Sequence, residues 1–312
     1  MYPGFRLPAV LAVAAMSLTT LACGQKVDIK LNLHQGATYH LRTTNDQTTS
    51  QTVQGREMSM QQKTVNEMAF AVSSIKDGDI TLQVTNEHII ADITNPRDTS
   101  HYDSNVAGEL NHPMLKALAA MAGQSYEMVI GTDGKLKSLT GMDKIVDRII
   151  ESLEMPETPA RDAILASIRK NFGEDAFKDQ WGVTFAAYPG KPVGPGDSWQ
   201  VSFETTAGFP IAFTGAWTLQ ELSGSEAVLG VDTKISTKPG AEPMEMGPMK
   251  VSMDIAGTQT GTLRLARDTG WIVGGKLVQS FSGTNKVESG PGQTGGMSWP
   301  MKMEIVTSYE NY

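Results

Sequence analysis

Apolar and polar residues alternate along most of this chain, and one long stretch breaks the alternation. Over residues 142–180 Ile145, Val146, Ile149, Ile150 and Leu153 recur at helical spacing, with Asp143, Asp147, Arg148 and Glu151 between them. A second stripe, Ile164, Leu165, Ile168 and Phe172, follows Thr158 and Pro159, which suit an N-cap and a first helical position; Gly173 offers a left-handed stop. Two short helices of this kind are not stable alone, so the pattern predicts a helical bridge packed on sheet supplied by its flanks.

Those flanks read as strands. Val27, Ile29, Leu31 and Leu33 alternate with polar residues, which predicts a half-buried strand before a turn at Gln35-Gly36. The Thr- and Gln-rich stretch from Thr43 to Gly55 has almost no apolar content and fits either a strand pair reaching past the core or a free arm. Asp77-Gly78 between Val72 and Ile80 marks a hairpin. Residues 95–112 read as a long polar loop, followed by a short helix from Pro113 to Gly123 and a strand through Tyr126, Met128 and Ile130. Beyond the bridge a Pro/Gly-rich connector leads to a second β run from Val201 to Ile305, interrupted by a flexible loop over residues 288–300.

Laid over one another, the two β runs correspond. Gly36, Thr38, Tyr39 and Leu41 match Gly196, Ser198, Trp199 and Val201. Phe70, Val72, Ile75, Leu82 and Val84 match Trp217, Leu219, Leu222, Leu229 and Val231 without a gap, and Met128, Ile130 and Asp133 match Leu263, Leu265 and Asp268. The expected fold is α+β and mainly antiparallel: two related curved meanders, as one half-barrel or two lobes, with a central helical insertion. The expected divisions are an export signal over 1–23, a first β-rich half over 24–141, the bridge over 142–180 and a second half over 181–312.

Composition narrows the setting. A net charge of −8, with no run of Lys or Arg, argues against nucleic acid and against an anionic membrane surface as partners. Arg6, the apolar LPAVLAVAAMSLTTL segment and the small residues before Gly24 predict an export signal, and no later stretch approaches the roughly 18 apolar residues of a membrane helix. The destination is therefore the periplasm, the outer membrane or the exterior. Cys23, the one cysteine, permits no internal disulfide. Its place resembles a lipoprotein acylation site, although Thr20 and Leu21 depart from the usual pattern; either Cys23 carries a lipid that anchors the chain to a membrane, or cleavage nearby leaves it as a plain thiol.

Candidate chemistry is sparse. The five histidines show no metal-ligand spacing, and His101, Asp103 and His112 form the densest polar cluster, in the 95–112 loop. No nucleophile elbow, P-loop or dinucleotide fingerprint occurs, so no catalytic residue, metal or cofactor is assigned and a non-enzymatic role is expected. Methionine is abundant, and Met58, Met60, Met244, Met246, Met249, Met301 and Met303 are the candidates for lining a cleft. Three readings stay open: binding of a lipid or other apolar ligand in a sheet-lined cleft, a structural or interaction protein without a small ligand, and a thioether site for Cu(I).

The Gln25-to-Leu31 start, the Gly36-to-Tyr39 turn and the Lys191-to-Val193 and Gly196-to-Trp199 connector resemble an uncharacterised family of bacterial exported, β-rich envelope proteins, many of them lipoproteins. The matching residues are turn and core positions, so the resemblance implies a fold and an address but no site. By architecture alone the chain is also similar to periplasmic lipoprotein carriers, in which a curved sheet covered by helices holds acyl chains.

Overall fold

The computed structural model describes residues 26–155, 157, 161–174, 176–178, 181, 188–205, 210–246, 249–289 and 296–312. The export segment with Cys23, and the Thr158-Pro159 cap, lie outside the described residues.

Alternation in the sequence becomes one antiparallel sheet. Its strands are β1 (Thr38–Val53), β2 (Arg56–Lys76), β3 (Asp79–Asn95), β4 (Asp98–Asp103), β5 (Ser125–Gly131), β6 (Leu136–Thr140), β7 (Ser198–Thr205), β8 (Ile211–Leu222), β9 (Glu226–Thr237), β10 (Met244–Met246), β11 (Met249–Ala266), β12 (Ile272–Ser289) and β13 (Ser298–Glu310). Spatial order is β6-β5-β3-β2-β1-β13-β12-β11-β9-β8-β7, with β4 added to β3 and β10 to β11. Both halves therefore share one sheet, joined where β1 meets β13. Taken in sheet order, the two meanders run in the same sense, and β13 stands between them.

The correspondence between the halves extends to their irregularities. Tyr39 faces Phe70 as Trp199 faces Trp217. A bulge follows Val72 in the β2–β3 pairing and another follows Leu219 in the β8–β9 pairing. A second pair of bulges lies between Val129 and Ile130 and between Arg264 and Leu265. The turns that follow close alike, on left-handed Gly134 and Gly270. Bulges bend the bulged strand and increase its twist, so each meander coils at equivalent places.

Glycine sharpens the bend in the second half. Gly257, Gly261, Gly275 and Gly283 lie where a Cβ would stand 1.9–2.6 Å from a carbonyl oxygen of the neighbouring strand. Gly261 and Gly275 also hold φ of 148° and 154°, which L side chains rarely adopt. The sheet curls at these points because nothing projects from them.

The segment Val27–Leu33 keeps its predicted alternation, with Ile29, Leu31 and Leu33 buried, but it joins no ladder beyond a single bridge from Val27 to Val193. It forms a strap. Leu31 N–H donates to Thr132 O at 2.9 Å and Asn32 N–H to Thr269 O at 2.8 Å, so one short segment ties the equivalent turns of both halves together. Beneath it Phe70, Trp271 and Trp181 make a core of edge-to-face rings, and Trp181 Nε1–H donates to the buried Tyr126 hydroxyl at 3.0 Å.

Helices α1 (Pro113–Met121), α2 (Met142–Ser152) and α3 (Arg161–Phe172) cover the first half's side of this core. His112 caps α1 by accepting the Met114 N–H, and α2 buries Met142, Ile145, Val146 and Ile149 as the stripe required. The polar 95–112 segment is not all loop. Asn95 Oδ1 accepts from the N–H groups of Arg97 and Asp98, and the turn so made launches β4, whose Tyr102 is buried beside Ala91. A strand with a single buried apolar residue leaves no alternation to read. The Thr- and Gln-rich stretch is a strand, β1, paired along its distal half with both β2 and β13. The predicted 288–300 loop gives its ends to β12 and β13.

If close approach at the glycines sets the curl, Gly257→Ala should lower stability by about 1–3 kcal/mol in urea unfolding, since a Cβ there would meet the Ser280 carbonyl at 2.2 Å. Gly108→Ala, with open space around it, should stay within about 0.5 kcal/mol of the parent.

Candidate functional site

Because side chains alternate across a strand, the register fixes which residues share the inner, concave face. Across β2, β1, β13, β12, β11, β9, β8 and β7, one row of that face reads Met60, Thr49, Met303, Phe281, Gly257, Ile235, Phe213, Phe203. A neighbouring row carries Met58, Gln51, Met301, Gly283 and Ile255. Ile211, Phe213, Ile235, Met253, Ile255, Phe281, Met301 and Met303 pack as one buried cluster, to which no helix contributes among the described residues. Phe203 and Phe213 stack at 4.6 Å. Val251, Val287 and Trp299 continue the apolar lining toward the far ends of the strands.

A polar row separates this trough from the strapped core. In register lie Gln62, Gln47, Ile305, Gln279, Gln259 and Thr233. Gln259 and Thr233 are 2% and 1% exposed, and Thr233 Oγ1–H donates to Gln259 Oε1 at 3.2 Å. One row further toward the core, Thr307 Oγ1–H donates to Asn45 Oδ1 at 2.8 Å, and on the opposite side of the trough Trp299 Nε1–H donates to Gln51 Oε1 at 2.9 Å. Amide oxygens that accept from threonine hydroxyls keep a fixed arrangement, and the row they belong to divides the concave face into two apolar compartments.

The methionines singled out from sequence sort by depth. Met301 and Met303 are buried in the trough, Met58 and Met60 stand 47% and 38% exposed on the strand beyond β1, and Met244 and Met249 are half-buried against the two apolar clusters. Met246 lies on β10, and its side chain is outside the described residues. Phe213, Ile235, Ile255 and Phe281, which do as much of the lining, carried no signal beyond alternation; only strand register brings them together.

The polar cluster read in the 95–112 segment disperses onto three partners. His101 Nδ1 lies 2.7 Å from Asp92 Oδ1, His112 caps α1, and Asp103 Oδ1 lies 2.8 Å from His88 Nε2. That last pair begins a chain of charges across five strands. His88 Nδ1 lies 3.3 Å from Glu67 Oε2, Arg42 donates to Glu67 Oε1 at 2.7 Å and reaches Glu310 at 3.3 Å, and the Tyr312 ring sits 5.1 Å from the guanidinium. Alternating sign and mutual hydrogen bonding make this a clasp over the β1–β13 junction. Hydrogen bonding to Asp103, supported by Glu67, holds the His88 imidazole above its ordinary pKa. The Asn105 N–H and His88 hold Asp103 below its own. Among the described residues no group of three His, Cys, Asp or Glu side chains is placed to hold a metal ion.

Fold and site together define a class: a single open, curled antiparallel sheet, built from a duplicated meander, with a second apolar cluster on its inner face. Residues 77–272 match a family of unknown function, DUF6263, and the chain belongs to that family. No curated protein matches it. Solved structures it is similar to include lipovitellin, titled for its lipid–protein interactions, at 8% identity and a TM-score of 0.44, over 90% of this chain and 25% of that one. The chain thus spans a quarter of lipovitellin's length. An outer membrane channel from Pseudomonas putida F1 follows at 7% identity and a TM-score of 0.23, over 90% and 97% of the two chains. The outer membrane protein OmpT of Vibrio cholerae gives 8% identity and 0.20, over 88% and 100%. Likenesses at this level carry no functional conclusion.

A raised histidine pKa stabilises the fold below the unfolded value near 6.5, and that contribution is lost as pH rises through the folded value. The depressed Asp103 acts oppositely and loses its contribution as pH falls through its folded value. The clasp should therefore be strongest between the carboxylate range and the raised histidine pKa. Urea midpoints should fall between pH 6 and pH 9 in the parent, and His88→Gln should flatten that slope.

Proposed function

We propose that this is an exported, non-enzymatic protein of the cell envelope that holds an apolar ligand against the concave face of its sheet. The observation that carries the reading is the second apolar compartment. A sheet already curled around a strapped, helix-covered core has no need of another greasy cluster beyond a polar row that includes the buried Gln259 and Thr233, and Met58 and Met60 leave the lining open to water on one flank. Thioether and phenyl side chains suit a flexible hydrocarbon partner, since both adapt to irregular apolar shapes. Export is supported by the charged and apolar pattern of the first residues, and acylation of Cys23 would add a membrane anchor.

Native mass spectrometry of the full-length protein, extracted from envelope membranes without delipidation, should show an apolar adduct. Met58→Glu with Met60→Glu should weaken uptake of a long-chain hydrocarbon dye by about tenfold, by removing apolar contact at an exposed site, and leave the urea midpoint unchanged. A bare polypeptide mass together with no dye uptake by the parent would refute the reading.

A further inference from the structure

One step inward from the polar row that holds Gln259 and Thr233, two tryptophans face each other across adjacent strands. Trp199 on β7 pairs in register with Trp217 on β8, so their Cβ atoms lie about 5 Å apart on the concave face. They are 8% and 2% exposed, and neither indole N–H has a hydrogen-bond partner among the described residues. Indole nitrogen is a donor only, and buried donors are nearly always satisfied. Two orphans side by side are unusual for a packed core.

The first half shows what the same position looks like when it is purely structural. There the pair is Tyr39 and Phe70. The Tyr39 hydroxyl lies 3.1 Å from the His34 N–H, and Trp271 covers both rings at 5.2 and 5.0 Å. Trp271 in turn gives its N–H to the His40 carbonyl at 3.3 Å. Every polar atom of that pair is satisfied. In the second half equivalent backbone presents two donors and no acceptor.

We infer that Trp199 and Trp217 form a two-donor site for an uncharged carbonyl oxygen, of the ester or amide type, on the apolar ligand. This rests on the reading of the trough as the ligand's place. Trp217 and Phe213 are four residues apart on one strand, about 13 Å, and the β8 member of the dividing row between them is Gly215, which carries no side chain, so a tail from an acceptor at the indoles crosses the row there and continues along the trough. The acceptor is uncharged because the buried polar side chains among the described residues are all Thr, Asn or Gln; no buried cation is there to balance a carboxylate or phosphate.

The test compares two probes on the full-length protein, the methyl ester of a long-chain fatty acid and the alkane of matching length, each competing with a bound hydrocarbon dye. The parent should favour the ester, relative to the alkane, by about tenfold more than the Trp199→Phe, Trp217→Phe double variant does, while alkane affinity stays equal in the two. The same ester-to-alkane ratio in both proteins would overturn the carbonyl site, assign the indole N–H groups to ordered water, and leave the trough reading standing. Failure of the parent to bind either probe would remove both. Should the double variant not fold, the indole N–H proton resonances of the parent decide: they should shift downfield when ester is added and stay in place with alkane, and no shift with ester would overturn the inference.

Discussion

A sheet with one apolar face must cover that face or curl onto it. The described residues form thirteen strands and only a few short helices, which reach one side of one half, so curling does most of the covering. The curl is written in local features. Bulges at matching places in each meander add twist, and glycines in β11 and β12 let strands approach where any side chain would strike a carbonyl. The strap then fixes the result, because it can reach the carbonyls of Thr132 and Thr269 together only if the two turns have already been brought near each other. Curvature and strap are thus one device: the sheet brings the turns together, and the strap's Ile29, Leu31 and Leu33 fill the space between.

Much of this was legible in the sequence, and the part that was not has a common cause. Alternation of period two identifies the members of a face, and so the buried residues of β2, β3, β9 and β11 follow from their order in the chain. Asp77-Gly78 gave the hairpin because both residues hold positive φ there, as a two-residue turn of the primed type requires. The duplicated meander was legible because turn glycines and facing aromatics recur together. Alternation does not say which strand lies beside which. The β1–β13 junction joins residues 250 to 268 apart in the chain, and only that pairing brings Met58 and Met60 into the same rows as the buried cluster of the second half. The strap shows the same limit from the other side: its pattern is that of a strand, yet its backbone N–H groups donate to turn carbonyls and to Val193 instead of entering a ladder. Tyr102 and the Asp103–His88 pair escaped because each depends on a partner strand that sequence could not place.

The two faces answer different demands. The convex face of the second half alternates cleanly into solvent and carries paired charges such as Arg264 with Glu226 and Lys302 with Glu304, each contributing little to stability while keeping the surface soluble. The Arg42–Glu67–His88–Asp103 clasp differs in being half-buried and continuous, and it crosses the strands nearest the junction of the halves. On the concave face the division is by depth, with aromatic core, amide row and trough in succession along the same strands. An amide row in that place is hard to explain as packing, since leucines would fill it with no polar group to satisfy.

Duplication explains how one face can hold both a rigid core and a second compartment. Each meander needs an aromatic pair at the start of its first hairpin, and in the first half that pair is completed by Trp271, which the second half supplies from its turn. The turn of the first half carries Lys135 at the matching place, exposed and paired with Asp133, so it returns no equivalent ring to Trp199 and Trp217. The exchange is therefore one-sided. A symmetric dimer of identical meanders could not manage this, since every contact made by one copy would be repeated by the other. Joining the copies in a single chain frees one of each matched position to change, and the changes seen gather on the strands that line the trough. Strap, helices and Trp271 stabilise the first half; the second half, held in shape by its connection to the first, keeps the inner surface on which unsatisfied groups persist.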